Sequence, residues 1–151
     1  MQDVKKFTKE QIESFMPQQP PYLFLEEAEI EGDEVRGSYT IKGDEFFLKG
    51  HFPNNPVFPA SVMLEALGQL AIVLLMKGDI DPQGRNASRE RIFFTSLDGV
   101  RCTRICRPGD KLEMRVKAKR IRHPLSLFEG GISVGGQRAA YAEKISLTFD
   151  F

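Results

Sequence analysis

The chain has 151 residues with 21 basic and 21 acidic side chains, so its formal net charge is zero. That length suits one domain spanning 1–151, and 41% hydrophobic with 28% charged residues is a globular balance, not a disordered or fibrous one. Two cysteines exclude a disulfide framework, and two histidines argue against a four-ligand zinc site, so no metal is expected.

The opening MQDVKKFTKE has no apolar core, so no secretory signal is expected there; with reduced thiols this points to the cytoplasm. Thr8 and Gln11 read as a capping box that opens a short helix, which Pro17, Pro20 and Pro21 end. Tyr22–Glu31 and Glu34–Lys42 read as two strands around a Gly32-Asp33 turn. Gly50–Pro59 holds Pro53, Pro56 and Pro59, so it should be a stiff loop without a regular ladder. From Ala60 to about Lys77, alanine, leucine and methionine dictate a helix roughly 25 Å long. Its most apolar part, Val62–Met76, contains Glu65 and Gln69 and is too short and too polar for a membrane span.

Gly78–Glu90 is polar and expected to be mobile. Five strands should follow: Arg91–Leu97, Val100–Cys106, Lys111–Arg122, Leu125–Val134 and Gln137–Phe149. The turns between them are Asp98-Gly99, Pro108-Gly109, His123-Pro124 and Gly135-Gly136. Leu112, Met114, Val116 and Ala118 alternate with charged residues, the pattern of a strand with one wet face. Cys102 and Cys106 should share a strand face as small core residues. One apolar helix among six or seven strands is best buried by an antiparallel sheet curled around it, an α+β architecture. One sheet should not cover the whole helix, so a second copy is expected to help.

Charge is uneven along the chain. Residues 1–50 carry 6 basic and 11 acidic groups; residues 77–123 carry 13 basic and 6 acidic, a net of +7. A basic face can attract an acidic partner, although a solvated strand surface is the plainer reading. No nucleic-acid motif accompanies it.

Glu65 is the most informative residue, because a carboxylate on a buried helix is costly unless paired and tends to stay protonated. The bland alternatives are a wet stripe or a silent ion pair. Gln69, at i+4, reaches the same side. His51 stands where the stiff loop begins, and that loop delivers the chain to a helix N-terminus whose N–H groups near Ala60 and Ser61 could polarise a carbonyl. A base, an acid and an N–H electrophile make a site for removing a proton next to a carbonyl.

Gly50-His51-Phe52-Pro53-Asn54-Asn55-Pro56-Val57-Phe58-Pro59-Ala60, followed by Leu64-Glu65-Ala66-Leu67-Gly68-Gln69, resembles the beta-hydroxyacyl-acyl carrier protein dehydratases of the FabZ type, which show G-H-F-P-x-x-P-V-x-P-G and then E-A-x-x-Q. The likeness runs from Met16-Pro17 and Pro21-Tyr22-Leu23 through Phe46-Phe47 to Arg107-Pro108-Gly109-Asp110. It implies a hotdog fold and a homodimer, often a trimer of dimers. It also implies a site shared between protomers, with His51 as the catalytic histidine and Glu65 as the catalytic acid. The Ala60 N–H would face the thioester carbonyl, the Val57 carbonyl would orient His51, and Gln69 matches the family glutamine. Ala60 and Ser61 depart from the usual glycine and apolar residue; a glycine with positive φ could not become alanine cheaply, so either φ is negative here or the oxyanion geometry is altered. Gln18 and Glu26-Glu27 also depart, which bears on substrate choice. Glutamate on the helix resembles the dehydration-only branch.

The resemblance implies dehydration of beta-hydroxyacyl-acyl carrier protein thioesters to trans-2-enoyl thioesters, in fatty acid or related lipid or polyketide biosynthesis, with no cofactor. Acyl carrier protein is acidic and would dock on Arg101, Arg104 and Arg107. The rivals are a thioesterase on the same fold and a non-catalytic acyl-binding subunit.

Overall fold

The structure, a computed structural model, describes residues 3–151. Val4–Thr8 (β1) leads into Lys9–Phe15 (α1), then Glu27–Glu31 (β2), Glu34–Thr40 (β3), Ala60–Lys77 (α2), Ile92–Cys102 (β4), Lys111–Arg122 (β5), Leu125–Val134 (β6) and Gln137–Phe149 (β7). Among the described residues the strands form one antiparallel sheet in the order β1-β2-β3-β5-β6-β7-β4. It packs through β2–β7 onto α2, the hotdog arrangement of a sheet around a central helix.

Local chemistry accounts for most of these elements. Thr8 ends β1 and caps α1: its hydroxyl accepts from Gln11 N–H at 3.2 Å, while Gln11 Oε1 accepts from Thr8 N–H at 2.8 Å. Gly135 and Gly136, at φ 56° and 81°, form the two-residue turn that joins β6 to β7 and pairs Val134 with Gln137. On β5, Leu112, Met114 and Val116 are buried while Lys111, Glu113, Arg115 and Lys117 face solvent.

Twelve of the eighteen residues of α2 are buried, including all of Ala66–Leu75. Each large aliphatic side chain so covered contributes about 1.5–3 kcal/mol. By length and composition this helix could cross a membrane, but the sheet occupies its apolar surface. The sheet does not cover the whole helix. What it leaves open is the N-terminal end, where Ala60 and Ser61 are exposed and Leu64 and Glu65 are half-buried, with Met76 and Lys77 half-buried at the far end.

Several sequence expectations are corrected. Asp98-Gly99 is not a turn. β4 runs unbroken from Ile92 to Cys102 because β7 pairs with it on both sides of Gly99, Asp98 with Lys144 and Val100 with Ala142, while Gly99 takes φ +61° within the strand. Cys102 is exposed at the end of β4 and Cys106 is buried in the following loop, so the two do not share a strand face. The first long strand starts at Glu27, not Tyr22, because the backbone at Tyr22 and Phe24 bonds to a helix side chain rather than to a strand. β1 was not foreseen: it is short, charged and at the sheet edge, where periodicity is weakest. The 78–90 segment is tied down, with Asn86 donating to Gly78 O at 2.7 Å, Ala87 N–H donating to Leu75 O at 3.0 Å, and Arg85 paired with Asp81 at 2.9 Å.

Part of the charge asymmetry is folded away. β5 lies beside β3, so Arg115 forms a forked pair with Glu34, which also takes Arg36 at 3.0 Å. The Arg115 guanidinium is the main cause of Glu34's lowered pKa. Basic and acidic segments that are distant in sequence thus interleave on one sheet surface.

Candidate active site

His51 opens a loop that is closed on itself. Its backbone carbonyl accepts from Val57 N–H at 2.8 Å, and its ring Nδ1 lies 2.8 Å from Val57 O. A carbonyl can only accept, so Nδ1 carries the proton and donates, leaving the Nε2 lone pair free to act as a base. Between these contacts Phe52 and Asn55 exchange two backbone hydrogen bonds of 2.9 Å, and the Phe52 ring stacks on the imidazole at 4.2 Å. The His51–Phe52 peptide is cis.

The loop delivers Pro59 as the N-cap of α2 without any side-chain cap. Val62 and Met63 N–H groups bond back to Pro59 O, whereas those of Ala60 and Ser61 have no acceptor among the described residues. Two free N–H donors at the positive end of an eighteen-residue helix can stabilise a developing oxyanion. Ala60 has negative φ, as the first residue of a helix must, so alanine is accommodated there without backbone strain.

One and a half turns on, Glu65 is half-buried, and burial pushes its carboxyl pKa up while the Gln69 hydrogen bond pulls the other way. Gln69 is fully buried and fully used. Its amide nitrogen donates to Glu65 Oε2 and Tyr22 O, both at 2.9 Å, and its oxygen accepts from Phe24 N–H at 2.8 Å. The helix thereby holds the 22–24 segment and aims Glu65 together. Leaving either backbone group unpaired would cost about 1–3 kcal/mol.

Within one chain, His51 and Glu65 open on different clefts. The His51 cleft is lined by Val57, Ala60, Met63 and the Cys102–Ile105 segment. The Glu65 cleft is lined by Tyr22, Ser61 and the Phe94–Leu97 segment. Burial, followed by the charge of Glu65, raises the pKa of Tyr22.

Residues 19–143 match the FabA-like domain. The chain belongs to the FabA-like family. Relatives named 3-hydroxyacyl-[acyl-carrier-protein] dehydratase FabZ include that of Thermomicrobium roseum, 35% identical over 93% of this chain and 91% of its own. That of Caulobacter vibrioides is 36% identical over 85% and 79%. Among solved structures, the dehydratase heterocomplex ApeI:P from Xenorhabdus doucetiae aligns with a TM-score of 0.74 at 18% identity, covering 93% of this chain and 91% of that one. The fluoroacetyl-CoA thioesterase FlK aligns at 0.61 and 11% identity, over 79% and 86%. At such identities the solved structures speak to the fold alone.

Around these clefts, the three arginines read as a docking surface fall into different roles. Arg107 Nη1 donates to Asn55 Oδ1 at 2.6 Å and its backbone N–H to Asp110, so it braces the His51 loop. Arg104 pairs with Asp110 at 3.3 Å. Arg101 is exposed on β4 with no ion-pair partner among the described residues. Sequence reasoning missed Tyr22 and Phe94 as walls of the Glu65 cleft. A signal for Phe94 was present in Gly68: glycine in a helix interior costs about 1 kcal/mol against alanine, and here something sits where the methyl would be.

Proposed function

We propose that this chain is a beta-hydroxyacyl-acyl carrier protein dehydratase, one hotdog domain that removes water from the thioester to leave the trans-2-enoyl product in fatty acid or related lipid biosynthesis. The observation that carries this reading is that one chain holds a histidine with Nδ1 locked by Val57 O, a half-buried glutamate with raised pKa, and between them in sequence the open N-terminus of α2. FabZ-named relatives over most of the chain support it.

In the proposed reaction the thioester oxygen takes the Ala60 N–H. His51 Nε2 removes the α-proton, and the electron pair moves toward the carbonyl and then expels the β-hydroxyl. Glu65, whose carboxyl pKa burial raises, acts in its protonated form and gives its proton to that hydroxyl, and water leaves. Proton return from His51 to Glu65 restores both groups. Each proton transfer by a placed acid or base is worth about 10²–10⁴ in rate. The thioester supplies the acidity, so no metal or organic cofactor enters the steps.

The two clefts support a shared site. β4 is the sheet edge opposite β1, eleven residues long, and Phe93, Val100 and Ile105 on and beyond it are exposed. A free apolar edge of that length invites pairing. Antiparallel two-fold pairing of β4 with its copy, centred between Gly99 and Val100, would lay Phe94–Leu97 of one copy beside Cys102–Ile105 of the other. That brings the Glu65 cleft of each protomer to the His51 cleft of its neighbour. We place the homodimer, or a trimer of such dimers, in the cytoplasm, with acidic carrier protein approaching Arg101.

Incubation with β-hydroxybutyryl-carrier protein, followed by intact-mass spectrometry, tests the reading. Loss of one water from the acylated carrier is expected. Release of free acid instead would make the protein a thioesterase, and an unchanged but bound acyl carrier would make it a binding subunit.

A further inference from the structure

Gly68 lies between Glu65 and Gln69 on α2, and a Cβ built there would fall 1.6, 2.3 and 2.7 Å from the tip atoms of the Phe94 ring. No real side chain shares that space, so the ring is seated in a notch that only glycine provides. Phe94 reaches the notch from β4 through a distortion of the strand. Ile92 and Phe94 face the helix, then the pairing with β7 slips between Phe94 and Ser96, and the inner face passes to Leu97. Thr95, the extra residue, secures the slip by donating its hydroxyl to Ser146 O at 3.1 Å. A bulge of this kind re-aims a side chain. Here it puts Phe94 and Leu97 in succession along the cleft that Glu65 faces.

Gly68 is three residues beyond Glu65, a rise of roughly 4.5 Å along the helix. An acyl chain with its β-hydroxyl at Glu65 and its tail running along α2 toward the C-terminal end meets the Phe94 ring within about one turn. On the same cleft the Tyr22 backbone is held to α2 by the Gln69 clamp. We propose that Phe94, seated against Gly68, is the specificity-determining wall of the acyl pocket and restricts this protein to short β-hydroxyacyl chains. This rests on the dehydratase reading for the identity of the chain that the wall meets. Phe94 touches the inert tail and takes no part in proton transfer.

The test compares β-hydroxybutyryl with β-hydroxydodecanoyl substrates, by kcat/KM on carrier protein and by Kd of the matching acyl-pantetheines. Phe94→Ala is expected to raise the long-to-short ratio at least about 10-fold in both measurements, since a few methylenes in an apolar pocket discriminate on that scale. Phe94→Leu, which keeps apolar bulk, should fall between. Gly68→Ala should depress short-chain turnover by driving the ring from its notch. Adding Phe94→Ala should recover that turnover, a coupling that two independent sites would not show. Unchanged ratios in Phe94→Ala and Phe94→Leu, with thermal melts showing both folded, overturn the inference, as does additivity of the Gly68 and Phe94 changes. If the wild type dehydrates neither substrate, the dehydratase reading falls, and the ratio of Kd values still decides whether Phe94 sets chain length.

Discussion

A carboxyl group held above its ordinary pKa on a helix that is otherwise oil has two consequences at the residue scale. Glu65→Gln keeps the shape and the Gln69 contact but has no proton to give, so dehydration should fall by at least about 10²-fold while the melting profile shows an intact fold. Turnover like that of the wild type would remove Glu65 from the mechanism. The second consequence concerns stability. Burial raises the folded-state pKa of Glu65 above its unfolded value, so the fold favours the neutral form. The stability this contributes is fully present below the unfolded carboxylate pKa of about 4.3 and is lost as pH rises through the folded pKa. Chemical denaturation from acid to neutral pH should therefore show Glu65→Gln gaining on the wild type as pH rises. A constant difference would mean the carboxyl group is as well solvated in the fold as out of it.

At the scale of elements, the His51 loop and β4 divide the basic residues between bracing and encounter. Arg107 reaches 52 residues back in sequence to Asn55, inside the tight turn that follows His51. Arg107→Ala should loosen that turn and lower kcat about 10-fold with KM for the carrier substrate little changed, because small misplacements of a base are expensive. A rise in KM alone would instead make Arg107 a docking residue. Arg101 behaves oppositely. In the single chain it is exposed on β4 with no ion-pair partner among the described residues, and the proposed β4 pairing sets it opposite Asp98 of the other copy. With the dimer shown intact by sedimentation, Arg101→Glu should therefore raise KM for carrier-protein thioesters and spare short pantetheine substrates, most clearly at low ionic strength. Equal effects on both substrate types would assign Arg101 to the pocket. Arg104 is the less clean probe, since reversing its charge sets it against Asp110.

For the whole molecule, His51 and Glu65 line two clefts, and the proposed shared site would make assembly part of the chemistry. His51→Ala and Glu65→Ala, each inactive alone, can be unfolded together in equal amounts and refolded. Random pairing makes half the dimers mixed, and each mixed dimer holds one complete site and one empty of both groups, so activity should return to about a quarter of the wild-type value. A mixture as inactive as its parents, beside a wild-type control that refolds fully, would place the two residues in one working site of a single chain.

Much of this protein is legible in the chain because the signals are local. Alternation from Leu112 to Ala118 marks β5, two-residue turns set the limits between β5, β6 and β7, and Thr8 with Gln11 starts α1. Composition and a terminal Lys77-Gly78 delimit α2. The prolines that stiffen 50–59 and the carboxyl group amid leucines single out His51 and Glu65 without any structure. What the chain could not disclose depends on partners far away in sequence. Asp98-Gly99 reads as a turn until β7 supplies a pairing partner on both sides of it. The slip at Thr95 changes which residues face inward, so no period of two could place Phe94 and Leu97 on the same cleft. Gln69 looks like a polar intruder, and only the approach of Tyr22 and Phe24, more than forty residues earlier, shows that it ties that segment to the helix. Charge followed the same rule: the basic run at 77–123 looks like a face in one dimension, but strand order sets Arg115 against Glu34. Local propensity decides where elements start and stop, whereas the neighbours a side chain meets are set by sheet order and register, which arise only when distant segments pack.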